Sequence, residues 1–231
     1  MRKFIGLCFL TATLVASSAR AQGIFIEKGD PSTASATVGG GVFKNAWGAG
    51  IAGGYTYRGV FDVGLDFTRF AYTGGDNNKL AGYSVAPYAS WHIVRHDADE
   101  FPLSIAATFA MQRIFYAGNG PVTNPEGWGL VAGGSAYRRM ELGTSVVFIP
   151  EAFVGFDMAY TRFYSSAGDQ NSGNTGDQSV NYRTSSKYSV RALFRPNLLM
   201  HAGNSNYVLA PYVGYEGALA FSVGANIGAI F

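Results

Sequence analysis

From residue 33 onward one pattern recurs: a large apolar side chain at every second position, with glycine, alanine, serine or a lone charge between. In 60–71 the odd phase is Phe61, Val63, Leu65 and Phe67, against Asp62, Gly64, Asp66 and Thr68. In 101–116, Phe101, Leu103, Ile105, Ala107, Phe109 and Met111 oppose Ser104, Ala106, Thr108, Ala110 and Gln112. The closing stretch FSVGANIGAIF puts Phe221, Val223, Ala225, Ile227, Ala229 and Phe231 on one phase, and only Ile230 is out of step on the other. A two-residue period belongs to an extended strand with unlike faces.

The smaller face decides what such strands build. In a water-soluble sandwich the outward side is rich in Lys, Glu and Thr, because water covers it. Glycine, alanine and serine with scattered charges suit a confined, curved interior instead. A closed barrel in lipid accounts for both faces, since hydrocarbon covers the large apolar side and closure removes the unpaired sheet edge. Composition agrees: 31 glycines, 14 tyrosines and 17 phenylalanines with only 14% charged residues favour strands over helices. Turn signals divide the chain into about ten stretches, near 33–43, 47–57, 60–71, 80–93, 101–116, 128–139, 145–164, 180–195, 206–215 and 218–231. The expectation is all-β: one closed antiparallel transmembrane β-barrel of about ten strands, bracketed by eight and twelve. Strands of ~9–11 tilted residues cross a bilayer.

The N-terminus predicts an export signal over 1–21: Arg2 and Lys3, an apolar core from Phe4 to Ala16, and the small-x-small site Ala19-Arg20-Ala21. Residues 22–231 then form the mature domain. The apolar core is too short for a transmembrane helix, which needs ~20 residues. Cys8 lies within it, so disulfides and cysteine nucleophiles leave the argument. Loss of Arg2, Lys3 and Arg20 leaves 14 basic against 15 acidic residues, a net −1, which gives no electrostatic reason to expect nucleic acid.

With the N-terminus on the inner side, one membrane face receives the longer polar connections 72–79, 117–127 and 165–179, as outer-membrane barrels do. Aromatics fall near strand ends, where amphipathic rings settle at membrane interfaces. Phe43, Trp47, Phe70, Tyr72, Phe115, Tyr116, Trp128, Phe163, Tyr164 and Tyr182 are expected at the outer rim. Tyr55, Tyr57, Phe61, Trp91, Phe101, Phe194, Tyr207 and Phe231 are expected at the inner one.

The signal, the alternating strands and the last strand ending on Phe231 together resemble bacterial outer-membrane β-barrel proteins. The resemblance implies a location in the bacterial outer membrane, with membrane lipid and lipopolysaccharide as neighbours. It also implies that Phe221, Val223, Ile227 and Phe231 form a C-terminal signal for the barrel-assembly machinery. It identifies an architecture and no activity.

The interior phase carries the candidate site. Arg183, Lys187, Arg191 and, at its margin, Arg195 share one phase of 180–195; Glu151, Asp157 and Thr161 share one phase of 145–164. With Asp62 and Asp66 they predict a lumen charge network. Such charges either pair structurally and fill the lumen or line a selective pore. A barrel of about ten strands is little wider than the eight-strand case that side chains fill, so a filled lumen is expected.

Other motifs carry less. Gly48-Ala-Gly50-Ile-Ala-Gly53 has no helix after it and reads as interior positions of a curved strand, not a dinucleotide site. His92 and His96, followed by Asp97, Asp99 and Glu100, read as a polar turn and not a metal site. Asp169-Gln-Asn171-Ser-Gly173 lacks the closing glutamate of a calcium loop, because Val180 stands there. His201, Ser205 and Glu216 suggest a lipid-hydrolase constellation, loosely similar to lipid A deacylases, but Ala202-Gly203-Asn204 break the His-x-Ser spacing, and the expected topology puts His201 and Ser205 on the inner side and Glu216 near the opposite rim. No cofactor, metal or catalytic residue is expected.

Overall fold

The computed structural model describes residues 23–27, 29–43, 46–72, 81–95, 102–117, 122–165, 181–216 and 221–231. The expected signal 1–21, Phe101, the His96–Glu100 turn and most of the 165–179 connection lie outside them.

The described chain begins with a 3-10 turn at Gly23–Phe25 and continues as strands. They are β1 (Thr33–Phe43), β2 (Ala46–Tyr57), β3 (Phe61–Tyr72), β4 (Ala81–Val94), β5 (Ser104–Ala117), β6 (Val122–Tyr137), the two-residue β7 (Met140–Glu141), β8 (Val146–Ser165), β9 (Asn181–Ala202), β10 (Ser205–Glu216) and β11 (Phe221–Ile230). Long neighbours in the chain pair antiparallel, β6 pairs directly with β8, and β1 pairs with β11. Ten strands therefore close a ring, while β7 adds only to β8. Phe231 tightens the seam: its N–H donates to the Ala34 carbonyl at 2.8 Å, and the Ala34 N–H donates to the Phe231 carbonyl at 3.2 Å.

Two strands exceed their sequence-based bounds, and prolines explain both. β6 starts at Val122, inside the expected 117–127 loop, and its register shifts between Thr123 and Glu126, the interval that contains Pro125. A bulge is where a strand accommodates a residue without an N–H. β9 continues through Pro196 to Ala202. Its ladder with β10 skips from Leu209↔Leu198 to Val213↔Phe194, and Pro196 and Pro211 both fall in the gap. Neither proline is asked for a ladder hydrogen bond there.

The alternation points as the pleat requires. Phe61, Val63, Leu65 and Phe67 face outward, with Asp62, Asp66 and Thr68 buried inside. Ile105, Phe109 and Met111 face outward opposite Ser104, Thr108 and Gln112. Tyr55, Tyr57, Phe61, Trp91, Tyr207 and Phe231 form an outward aromatic belt at the end nearest Phe231, the inner end. Trp47, Tyr83, Phe115, Tyr215 and Phe221 form a second belt at the outer end. Three residues expected in that outer belt point inward instead. Phe43, Phe70 and Tyr116 are buried, and Phe70 meets Tyr116 edge-on at 5.9 Å, so these rings fill the outer lumen and leave the interface. The glycine motif is corrected likewise: Gly48 and Gly50 share the inward phase, but Gly53 is on the outward one.

The N-terminal described segment packs inside the inner end. Ile24, Phe25 and Ile26 are buried in one cluster with Val147, Ile149, Leu199, Val208 and Ile230. This settles the one break in the terminal alternation: Ile230 points inward because an apolar plug awaits it. Gly59 fixes the plug's outer edge. Arg58 (φ 47°) and Gly59 (φ 62°) make the primed turn that matches strand twist, and a β-carbon at Gly59 would strike the Glu27 carbonyl oxygen.

Candidate functional site

Inward residues at the same height of neighbouring strands must meet, and the register puts acids opposite bases. Glu151 pairs with Arg195 across β8 and β9, and Gly155 with Arg191, two positions from Asp157. The Arg191 Nε donates to Asp157 Oδ2 at 2.9 Å, and the Arg195 Nη1 donates to Glu151 Oε2 at 3.0 Å. Both arginines are 0% exposed. Removal from water is tolerable only because each charge has its partner. Asp66 accepts a hydrogen bond from the Thr68 hydroxyl at 2.8 Å. Lys187 occupies the same inward phase of β9, half-buried. The Arg183 side chain lies outside the described residues. Arg195, marginal in the sequence, is as central as Arg191.

A second cluster departs from the polar turn expected around His92. His92 is buried at 4% exposure and is not part of a solvated turn. Its Nε2 lies 2.7 Å from Asp62 Oδ2 and its Nδ1 lies 2.7 Å from the Tyr137 hydroxyl. The alternation of 80–93 held the signal for this, because His92 shares the inward phase of Ser84, Ala86 and Ser90. Beyond the strand end, the Arg95 guanidinium lies over the Tyr137 ring at 5.8 Å and donates to the carbonyls of Ile26, at 2.9 Å, and Gly59. Burial pushes its pKa below the ordinary arginine value, against the pull of Tyr137 and Asp62. Arg139 donates to the Phe25 carbonyl at 3.1 Å and pairs with Glu27 at 3.0 Å. Two arginines thus clasp the plug backbone and join it to the charge network.

Aromatic rings also point inward. Tyr88 and Phe153 lie in a central cluster with Ala110, Val131 and Leu193. Tyr88 covers Gly64, and Phe153 covers Gly133 and Gly155, so closely that a β-carbon at any of the three would collide with the ring. Among the described residues, buried side chains thus line the lumen at the heights of the plug, of the Tyr88–Phe153 cluster and of Phe70.

The hydrolase constellation does not assemble. His201 Nδ1 lies 2.6 Å from Asn206 Oδ1 in the strand pair next to the β9–β10 turn. Glu216 ends β10, about 36 Å from Ser205 at ~3.3 Å per residue. Among the described residues no group of three or more potential metal ligands occurs.

No protein-family model and no curated protein matches the chain. Among solved structures it is similar to the β domain of the Bordetella autotransporter BrkA, at 13% identity over 87% of this chain and 99% of that one, with a TM-score of 0.48. LpxR from Salmonella typhimurium matches at 8% identity over 85% and 99%, TM-score 0.44. The Yersinia pestis attachment invasion locus protein Ail matches at 10% identity over 87% and 99%, TM-score 0.36. A closed ring of ten long antiparallel strands, apolar outside between two aromatic belts and polar within, is the architecture of a small bacterial outer-membrane β-barrel.

Proposed function

We propose that the protein is a non-enzymatic, non-conducting barrel of the outer membrane, reached after removal of residues 1–21, whose outer connections form its contact surface. One observation carries this reading: the Arg191–Asp157 and Arg195–Glu151 pairs and the Ile24–Phe25–Ile26 segment are buried inside the barrel, as side chains that fill a lumen would be. A lining that served permeation would stay wet, since conduction requires sites that ions can enter and leave. Refolded protein in planar bilayers is expected to be electrically silent. Steady single-channel currents, altered by Arg191→Ala, would instead establish the channel reading.

In the same reading the outward residues Phe221, Val223, Ile227 and Phe231 are presented to the assembly machinery before β11 closes on β1. All four are exposed on the outer face. Removal of Phe231 alone is expected to leave refolding in detergent intact while strongly reducing the folded protein recovered from cell envelopes. Equal recovery of both forms would remove that role.

A further inference from the structure

A charged side chain on the lipid side of a barrel is costly at mid-bilayer and nearly free at the interface, arginine and lysine most of all. Where such charges remain, their depth and sign carry information. Among the described side chains of the ten ring strands, those that are charged and point outward are Arg69, Arg113 and Arg162. All three are cations, and all lie toward the outer end: Arg69 three residues before Tyr72 ends β3, Arg113 four before Ala117 ends β5, Arg162 three before Ser165 ends β8. The carboxylates described in the same strands, Asp62, Asp66, Glu151 and Asp157, all point inward.

Two of the arginines frame one patch. Arg69 is the register partner of Tyr83, and Tyr83 that of Phe115. Tyr83 and Phe115 stack at 5.2 Å, and the Arg113 guanidinium lies 5.7 Å from the centre of the Phe115 ring. From strand spacing and rise, the Arg69 and Arg113 backbones are about 12 Å apart, within joint reach of one lipid headgroup. The rings between them belong to the outer aromatic belt, which fixes the patch at the membrane surface.

We propose that Arg69 and Arg113, flanking the Tyr83–Phe115 stack, form a docking surface for the phosphate groups of a phosphorylated glycolipid of the lipopolysaccharide type in the outer leaflet. The guanidinium fork takes phosphate oxygens bidentately, and the apolar wall below receives the acyl chains. The inference rests on the outer-membrane reading and adds a ligand class and residues to it.

The test uses the refolded full-length mature protein, with folding scored first by heat-modifiable gel migration. Binding is then measured by native mass spectrometry for phosphorylated lipid A, for lipid A stripped of its phosphates, and for phosphatidylglycerol. Wild type is expected to prefer phosphorylated lipid A over the stripped form by about tenfold or more. Arg69→Gln with Arg113→Gln is expected to erase that preference while migrating as a folded barrel. Folded variant and wild type binding alike would overturn the proposal, as would phosphatidylglycerol binding as tightly as lipid A. A wild-type chain that never reaches the heat-modifiable form would remove the outer-membrane reading itself, and the docking surface with it.

Discussion

Arg195 and Glu151 hold each other at 3.0 Å in the barrel interior, both essentially without solvent contact. Truncating one member of such a pair strands a buried charge, so Glu151→Ala is expected to lower stability by about 3–5 kcal/mol. Replacing both members together, Glu151→Leu with Arg195→Met, should recover most of that loss, because an apolar pair of similar volume needs no desolvation. Urea unfolding of the refolded protein in micelles, followed by tyrosine and tryptophan fluorescence, measures both. Gly64 supplies a second case. Its α-carbon lies under the Tyr88 ring, so Gly64→Val should cost about 1–3 kcal/mol by overpacking in the same assay. Gly53→Ala, on the outward face where a β-carbon meets only ordinary van der Waals contact, should cost much less. The inward phases of Asp62, Asp66, Glu151, Asp157 and Arg191 were legible from a two-residue period. The partnership of His92 with Asp62 and Tyr137 was not, because those residues come from three strands, β3, β4 and β6, whose relative register no local period gives.

The N-terminal plug and the strand ends show what is settled element by element. The plug has no periodic signal: Ile24, Phe25 and Ile26 are three apolar residues in a row, and only the ring of Val147, Ile149, Leu199, Val208 and Ile230 gives them a place. Its attachment depends on charge-assisted hydrogen bonds from Arg95 and Arg139 to backbone carbonyls, each worth about 1.5–3 kcal/mol. Arg95→Ala is therefore expected to speed amide hydrogen exchange across 23–27 by at least about tenfold, with strand amides unchanged. Uniform acceleration through β1 to β11 would mean that plug and barrel open together. Strand limits failed in the sequence at Pro125 and Pro196, which read locally as stops. Proline forbids a ladder hydrogen bond but not an extended backbone, and the bulge in β6 and the gap between β9 and β10 absorb it.

For the whole molecule, closure is the decisive feature. The β1–β11 ladder runs from Ser35↔Ile230 to Val42↔Val223, so removal of 221–231 exposes two long edges in β1 and β10. Such a chain is expected to lose the heat-modifiable compact band entirely and to aggregate, whereas loss of Phe231 alone gives up only the terminal pairing with Ala34. The sequence by itself determined that strands fill this chain and which side of each meets lipid, because that information is local and repeats every second residue. Tertiary structure alone decided which inward side chains meet: that depends on which residues of different strands share a height, and on an N-terminal segment whose burial no neighbour in sequence requires.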